Sequence, residues 1–195
     1  MSQKDLVCVV SADVPTTHLR IEKALQRFHD SRADLFVLNG FNDSTKHDSN
    51  FKGETWRDDD RLKDIYKDLE NLNKVILYAR NTVENGVELR KVMNYSQYRS
   101  GEVITSDTHF IRLVRTFYSV FPEEEFNNLS FSRCREPSKK LTVIRTISEA
   151  LEYPFTEAML VGIKNGDSKI AEIYNQRRYH GKIGKALSSL KAIIS

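Results

Sequence analysis

Short aliphatic runs alternate with stretches whose apolar positions recur every three or four residues. Leu6 to Val10 is a continuous apolar run of strand length. Leu19, Ala24, Leu25 and Phe28 follow at mostly helical spacing. Leu35 to Leu38 is a second strand run, ended by Asn39-Gly40, after which Leu62, Ile65, Leu69 and Leu72 return to the helical period. Val75 to Tyr78 predicts a third strand, and Val87, Leu89 and Val92 a further helix. Val103-Ile104 is the centre of a fourth strand; Phe110, Leu113, Val114 and Phe117 form the stripe of the next helix, and Leu129 to Phe131 predicts a fifth strand. Strand runs without polar alternation are buried on both faces, as in a parallel sheet covered by helices. Strand–helix repetition with short turns implies right-handed crossovers and a doubly wound α/β fold with a mostly parallel sheet of about five strands.

After about Lys139 the strand runs stop. Leu141, Ile144, Ile147, Ala150 and Leu151 read as one helix, 155–163 and 168–176 as two more, and Ile183, Leu187, Leu190, Ile193 and Ile194 as the stripe of a last one. The expected division is an α/β unit over 1–137 and a helical C-terminal extension over 138–195, packed on it. Residues 42–56 interrupt the rhythm with a long polar segment that includes Trp56, either a ligand lid or a plain insertion. The Asp58-Asp-Asp60 run suits the start of a helix, where acidic charge complements the dipole, better than a metal site.

Composition narrows the classes. The chain has 195 residues, 39% of them hydrophobic, with ten Phe and eight Tyr, which argues for a packed core and against disorder. Two cysteines build neither a disulfide scaffold nor a four-thiolate zinc site. Cys8 falls in a buried strand run, and Cys134 between Arg133 and Arg135 is a redox or metal candidate. No apolar run approaches the roughly 20 residues of a membrane span. The residues before Leu6 carry no secretory pattern, so the expectation is a soluble cytoplasmic protein without a membrane partner. The net charge of +3 is uneven: residues 164–195 carry seven cations against Asp167 and Glu172, a net of +5 that leaves −2 for the rest. The stretch 177–182 (Arg-Arg-Tyr-His-Gly-Lys) mixes bases with an aromatic and suits either a nucleic-acid contact or a solvated helix face.

Polar residues gather at the strand exits: Ser11-Ala-Asp13, Asn39-Gly40, 80–85 (Arg-Asn-Thr-Val-Glu-Asn) and 105–109 (Thr-Ser-Asp-Thr-His). In a doubly wound sheet these exits surround one crevice and open onto helix N-termini, which attract anions. Each is equally readable as a helix cap: Asn81 with Glu84 resembles a capping box, and Ser106 or Asp107 suits the helix after the fourth strand. His109 and Arg112 are three apart and share a helix face, with Asp107 and Glu84 as neighbours able to set the tautomer of His109. Ser106 beside His109 offers a nucleophile and a base, although no Gly-x-Ser-x-Gly elbow surrounds it. Neither a Gly-x-Gly-x-x-Gly nor a Walker-type loop is present, against dinucleotide hydride chemistry and P-loop hydrolysis.

Residues 5–133 resemble the YdcF-like/SanA-like family of Rossmann-like domains of unknown function. The likeness rests on Arg20 in the first helix, Asn39-Gly40, the turn Asn81-Thr82-Val83-Glu84-Asn85, and Thr105-Ser106-Asp107-Thr108-His109 followed by Arg112. The chain departs from the family at Ser11-Ala-Asp13, where glycines are usual, at the strand-two exit, where one glycine of a pair is missing, and at Arg80, where an acidic residue is common. The resemblance implies a polar pocket at the strand ends, and S-adenosylmethionine as a cofactor in one branch. The expected site has His109, Glu84 and Ser106 as catalytic groups and no metal. Its ligand-binding set is Arg20, Asn39, Gly40, Asn81, Thr82, Asn85, Thr105 and Arg112. The expected ligand is an anionic or nucleotide-type small molecule, bound by a transferase, a hydrolase or a non-catalytic sensor.

Overall fold

A computed structural model describes residues 5–12, 14–40 and 67–194. The predicted polar segment 42–56, Trp56, the acidic run 58–60 and the apolar positions Leu62 and Ile65 lie outside the described residues. Five strands form one sheet: β1 (Asp5–Val10), β2 (Leu35–Asn39), β3 (Lys74–Leu77), β4 (Ser100–Ser106) and β5 (Leu129–Cys134). Their spatial order is β3-β2-β1-β4-β5, and all four pairings are parallel. The architecture is α/β and Rossmann-like, as the apolar runs predict.

Among the described residues, 67–70 are helical, and the other helices are α1 (Val14–Ser31), α2 (Thr82–Ser96), α3 (Phe110–Val120), a single turn α4 (Glu123–Phe126), α5 (Lys139–Leu160), α6 (Ile170–Asn175) and α7 (Lys182–Ile194). Successive strand side chains point to opposite faces, so the sheet carries two cores. Val7, Val9, Phe36, Leu38 and Ile104 meet Ile21, Ala24 and Leu25 of α1 on one face. Leu6, Cys8, Val10, Val37 and Val103 meet Val83 and Leu89 of α2 and Leu113 and Phe117 of α3 on the other. The C-terminal helices add Met159, Leu160, Ile170 and Tyr174 to this second core.

Two expectations are corrected in the extension. The separate helices over 141–151 and 155–163 are one helix, α5, with Pro154 inside it. Proline removes one backbone hydrogen bond, but the segment is held on both sides, by ion pairs of Glu149 and Glu152 before it and by buried Met159 and Leu160 after it. The helix predicted over 168–176 is the short α6, continued by a π-helical turn over Gln176–His180.

The sheet order places the site. The chain leaves β1 for β2 on one side, and later returns to β4 on its other side. Crossovers therefore diverge at the β1–β4 boundary, and a crevice opens outside the carboxyl ends of those strands.

Candidate functional site

A cavity of about 420 Å³ occupies that crevice. Its wall includes Ser11 after β1, Gly40 after β2, Asn81, Thr82 and Asn85 at the start of α2, and Ser106, His109 and Arg112 after β4. Gly40 is a geometric requirement here. Its φ is +81°, and a Cβ would lie 2.6 Å from Ser11 Oγ and 2.9 Å from Asn85 Oδ1.

Arg20 is buried at the cavity floor. It donates to the Val10 and Ser11 carbonyls at 2.7 and 3.0 Å and to Ser106 Oγ at 2.6 Å, tying the β1 exit to the β4 exit. Among the described contacts, Ser106 Oγ makes none with the His109 ring. This corrects the expected Ser106–His109 pairing. Asp107 and Ser106 do not cap α3 either: its N-cap is His109, with no side-chain cap bond.

His109 is held from a part of the chain that the local pattern does not indicate. Its Nδ1 lies 2.9 Å from Glu149 Oε1 on α5, and its Nε2 lies 3.4 Å from Thr82 Oγ1. Arg112 Nη2 also lies 3.2 Å from Nδ1, but it donates to Glu149 Oε1 at the shorter 2.9 Å; because a bare Nδ1 would face that carboxylate oxygen, we assign the proton to Nδ1, which leaves Nε2 as the acceptor. Arg112 completes the group. Its Nε and Nη2 donate to the two Glu149 oxygens at 2.6 and 2.9 Å, and its Nη1 pairs with Glu152 at 3.0 Å. The same Nη1 lies 3.4 Å from Thr82 Oγ1.

These contacts set the charge states. Burial, with the Arg112 and Arg20 charges, pushes His109 down to about 4 against the opposing pull of Glu149, so the imidazole is neutral at pH 7. Burial alone raises the Glu149 carboxyl, but hydrogen bonds from Arg112 and His109 outweigh it and hold the group at about 2. The result is a neutral imidazole with one bare nitrogen at the cavity wall, oriented by a fixed carboxylate.

Not every expected residue lines the cavity. Asn39 is fully buried beneath it and donates to the Asn85 carbonyl at 2.8 Å, and Thr105 is also fully buried. Glu84 accepts from the Arg80 backbone N–H at 2.6 Å, from the Arg80 guanidinium, and from Asn175 Nδ2 at 2.7 Å. Burial opposes these donors, but together they keep its carboxyl below the ordinary value. Glu84 thus braces the rim and does not touch His109 through any contact described. Asn81 caps α2 by accepting from the Val83 and Glu84 N–H groups, but Glu84 bonds Arg80 in place of the Asn81 N–H that a capping box requires.

Glu149, Ser148 and Arg145 on α5, together with Arg80, line the cavity and were not in the predicted site. Arg145 pairs with Glu136, which also accepts from Thr16 and Thr108. No metal-binding group of three or more His, Cys, Asp or Glu occurs among the described residues. In the basic stretch, Arg177 donates to the Met159 and Val161 carbonyls at 2.7 and 2.8 Å, closing the end of α5, and Arg178 donates to Tyr174 Oη at 3.0 Å. Two of its cations therefore serve internal contacts. Cys8 and Cys134 are both buried and unpaired, and burial pushes the Cys8 thiol up to about 12.

No family model matches the chain, and neither a curated protein nor a solved structure matches it. No described helix is long and apolar enough to cross a membrane.

Proposed function

We propose that the chain is an enzyme of the transferase or hydrolase type that binds a phosphorylated, nucleotide-type anion in the switch-point cavity, with His109 as its general base. The observation that carries this reading is the composition of the wall: Arg20, Arg80, Arg112 and Arg145 all line it, and of the carboxylates that pair with them, Glu84, Glu136, Glu149 and Glu152, Glu149 alone lines it too. Guanidinium groups present planar donor pairs that match phosphate oxygens. The neutral His109, with Glu149 behind it, supplies the base.

S-adenosylmethionine, the ligand suggested by the likeness to YdcF-like proteins, is the competing small molecule. Its carboxylate suits the arginines, but its sulfonium does not, so a phosphorylated ligand fits the wall better. The reading takes the cytoplasm as the compartment, which two buried free thiols suit.

Heat unfolding with a panel of nucleoside mono-, di- and triphosphates, inorganic phosphate and S-adenosylmethionine tests the reading. Phosphorylated compounds are expected to raise Tm in a concentration-dependent way. A His109→Ala variant is expected to keep that shift and to lose turnover by about 10²–10⁴-fold. A flat Tm across the panel sinks the proposal; binding without any turnover leaves a sensor.

A further inference from the structure

We propose that Thr82 is the covalent nucleophile of this site, activated by a Glu149–His109–Thr82 relay; the inference rests on the phosphate-binding reading above. Among the hydroxyls that line the cavity, the described contacts bring Thr82 to the His109 ring. Ser106 Oγ accepts from Arg20 at 2.6 Å, and among the described contacts it makes none with the imidazole. Thr82 lines the cavity, and its Oγ1 is 3.4 Å from His109 Nε2, the bare ring nitrogen. Nucleophile–base contacts of this length are common without substrate and shorten when it binds.

Three further features suit Thr82 to attack. The Glu149 carboxylate fixes the imidazole through Nδ1 and stabilises the imidazolium that forms on proton transfer. The Arg112 guanidinium, 3.4 Å from Oγ1, sits where an alkoxide and the oxygens of a transferring phosphoryl group would gather charge. Thr82 is also the first residue of the 15-residue helix α2, so the positive end of the helix dipole lies under the reacting atom.

The reaction balances in two steps. Thr82 Oγ1 attacks the phosphorus of a phosphate ester; the Oγ–P bond forms, the bond from phosphorus to the leaving oxygen breaks, and the Thr82 proton passes through His109 Nε2 to that leaving oxygen. Water, or an acceptor hydroxyl, then gives its proton to His109 and attacks phosphorus. The Oγ–P bond breaks, and the proton held by His109 returns to Thr82.

A small alkyl fluorophosphonate ester is the probe, because it traps an activated hydroxyl by forming an Oγ–P bond with loss of fluoride. Peptide mass analysis is expected to find one phosphonyl group on Thr82, with inorganic phosphate slowing the labelling. His109→Ala should slow it by about 10²–10⁴-fold, Thr82→Val should abolish it, and Thr82→Ser should restore it. Heat unfolding of each variant confirms that it folds. A protein that inorganic phosphate stabilises but that takes no label at Thr82, or takes it equally without His109, overturns the nucleophile and leaves the anion site standing. A protein that neither inorganic phosphate nor any nucleoside phosphate stabilises overturns the site itself, and this inference with it.

Discussion

Gly40 stands where β2 ends, and its backbone is left-handed there because the chain must turn between Ser11 and Asn85 without a side chain. Gly40→Ala forces a positive φ on a residue with a Cβ and presses that atom on both neighbours. The expected cost is about 1–3 kcal/mol, read as a lowered midpoint in denaturant unfolding with the slope unchanged. An unchanged midpoint would show that the turn relaxes at no cost. The Asn39-Gly40 pair was legible as a turn because few residues adopt this conformation. His109 and Arg112 were legible as a pair by their spacing of three. What faces them was not, since Glu149 is 40 residues from His109.

At the scale of elements, α5 shows how an apolar period misleads. Val143, Ile144 and Ile147 are more than half exposed, at 59, 52 and 53%. The charged positions Arg145, Glu149 and Glu152 turn inward to Glu136, His109 and Arg112. A helix is normally oriented by its hydrophobic stripe. Here, ion pairs with buried partners orient it, and their energy is not visible in the spacing of apolar residues. The packing of α7 against the π-helical turn depends on a small residue as well. A Cβ at Gly184 would overlap the Arg178 carbonyl, so Gly184→Ala is expected to displace α7 and lower Tm by several degrees, while Ser188→Ala, losing one part-buried hydrogen bond to the Gly184 carbonyl, changes it little. Equal, small shifts in both variants would place α7 further from the turn.

For the molecule as a whole, the site couples folding to pH. His109 binds its proton more weakly in the fold, at about 4, than its ordinary 6.5. As pH falls below that ordinary value the unfolded chain takes up this proton first, so stability drops between pH 6.5 and 4. Glu149 sits at about 2 against an ordinary 4.5, and the same argument carries the loss on from 4.5 towards 2. Denaturant unfolding across this range should show stability falling steadily on acidification, with the upper part of the slope reduced in His109→Gln. A stability that stays level between pH 7 and 5 would mean that His109 titrates in its ordinary range. Because α5 and α6 supply both the partner of His109 and part of a core, the C-terminal helices and the sheet should lose structure in one transition.

The sequence by itself determined the strand runs, most of the helices and the polar strand exits, because each depends on neighbours within a few residues. It therefore determined the α/β class and part of the cavity wall, from Gly40 through Thr82 to His109 and Arg112. Only the tertiary structure decided the order β3-β2-β1-β4-β5, which brings the exits of β1 and β4 together under Arg20. It also decided that Ser106 meets Arg20 while Thr82 meets the imidazole, and that α5 buries its charges. The physical reason is common to all three: parallel pairing and buried ion pairs join residues tens of positions apart, and nothing in either residue's local pattern records which distant partner will satisfy it.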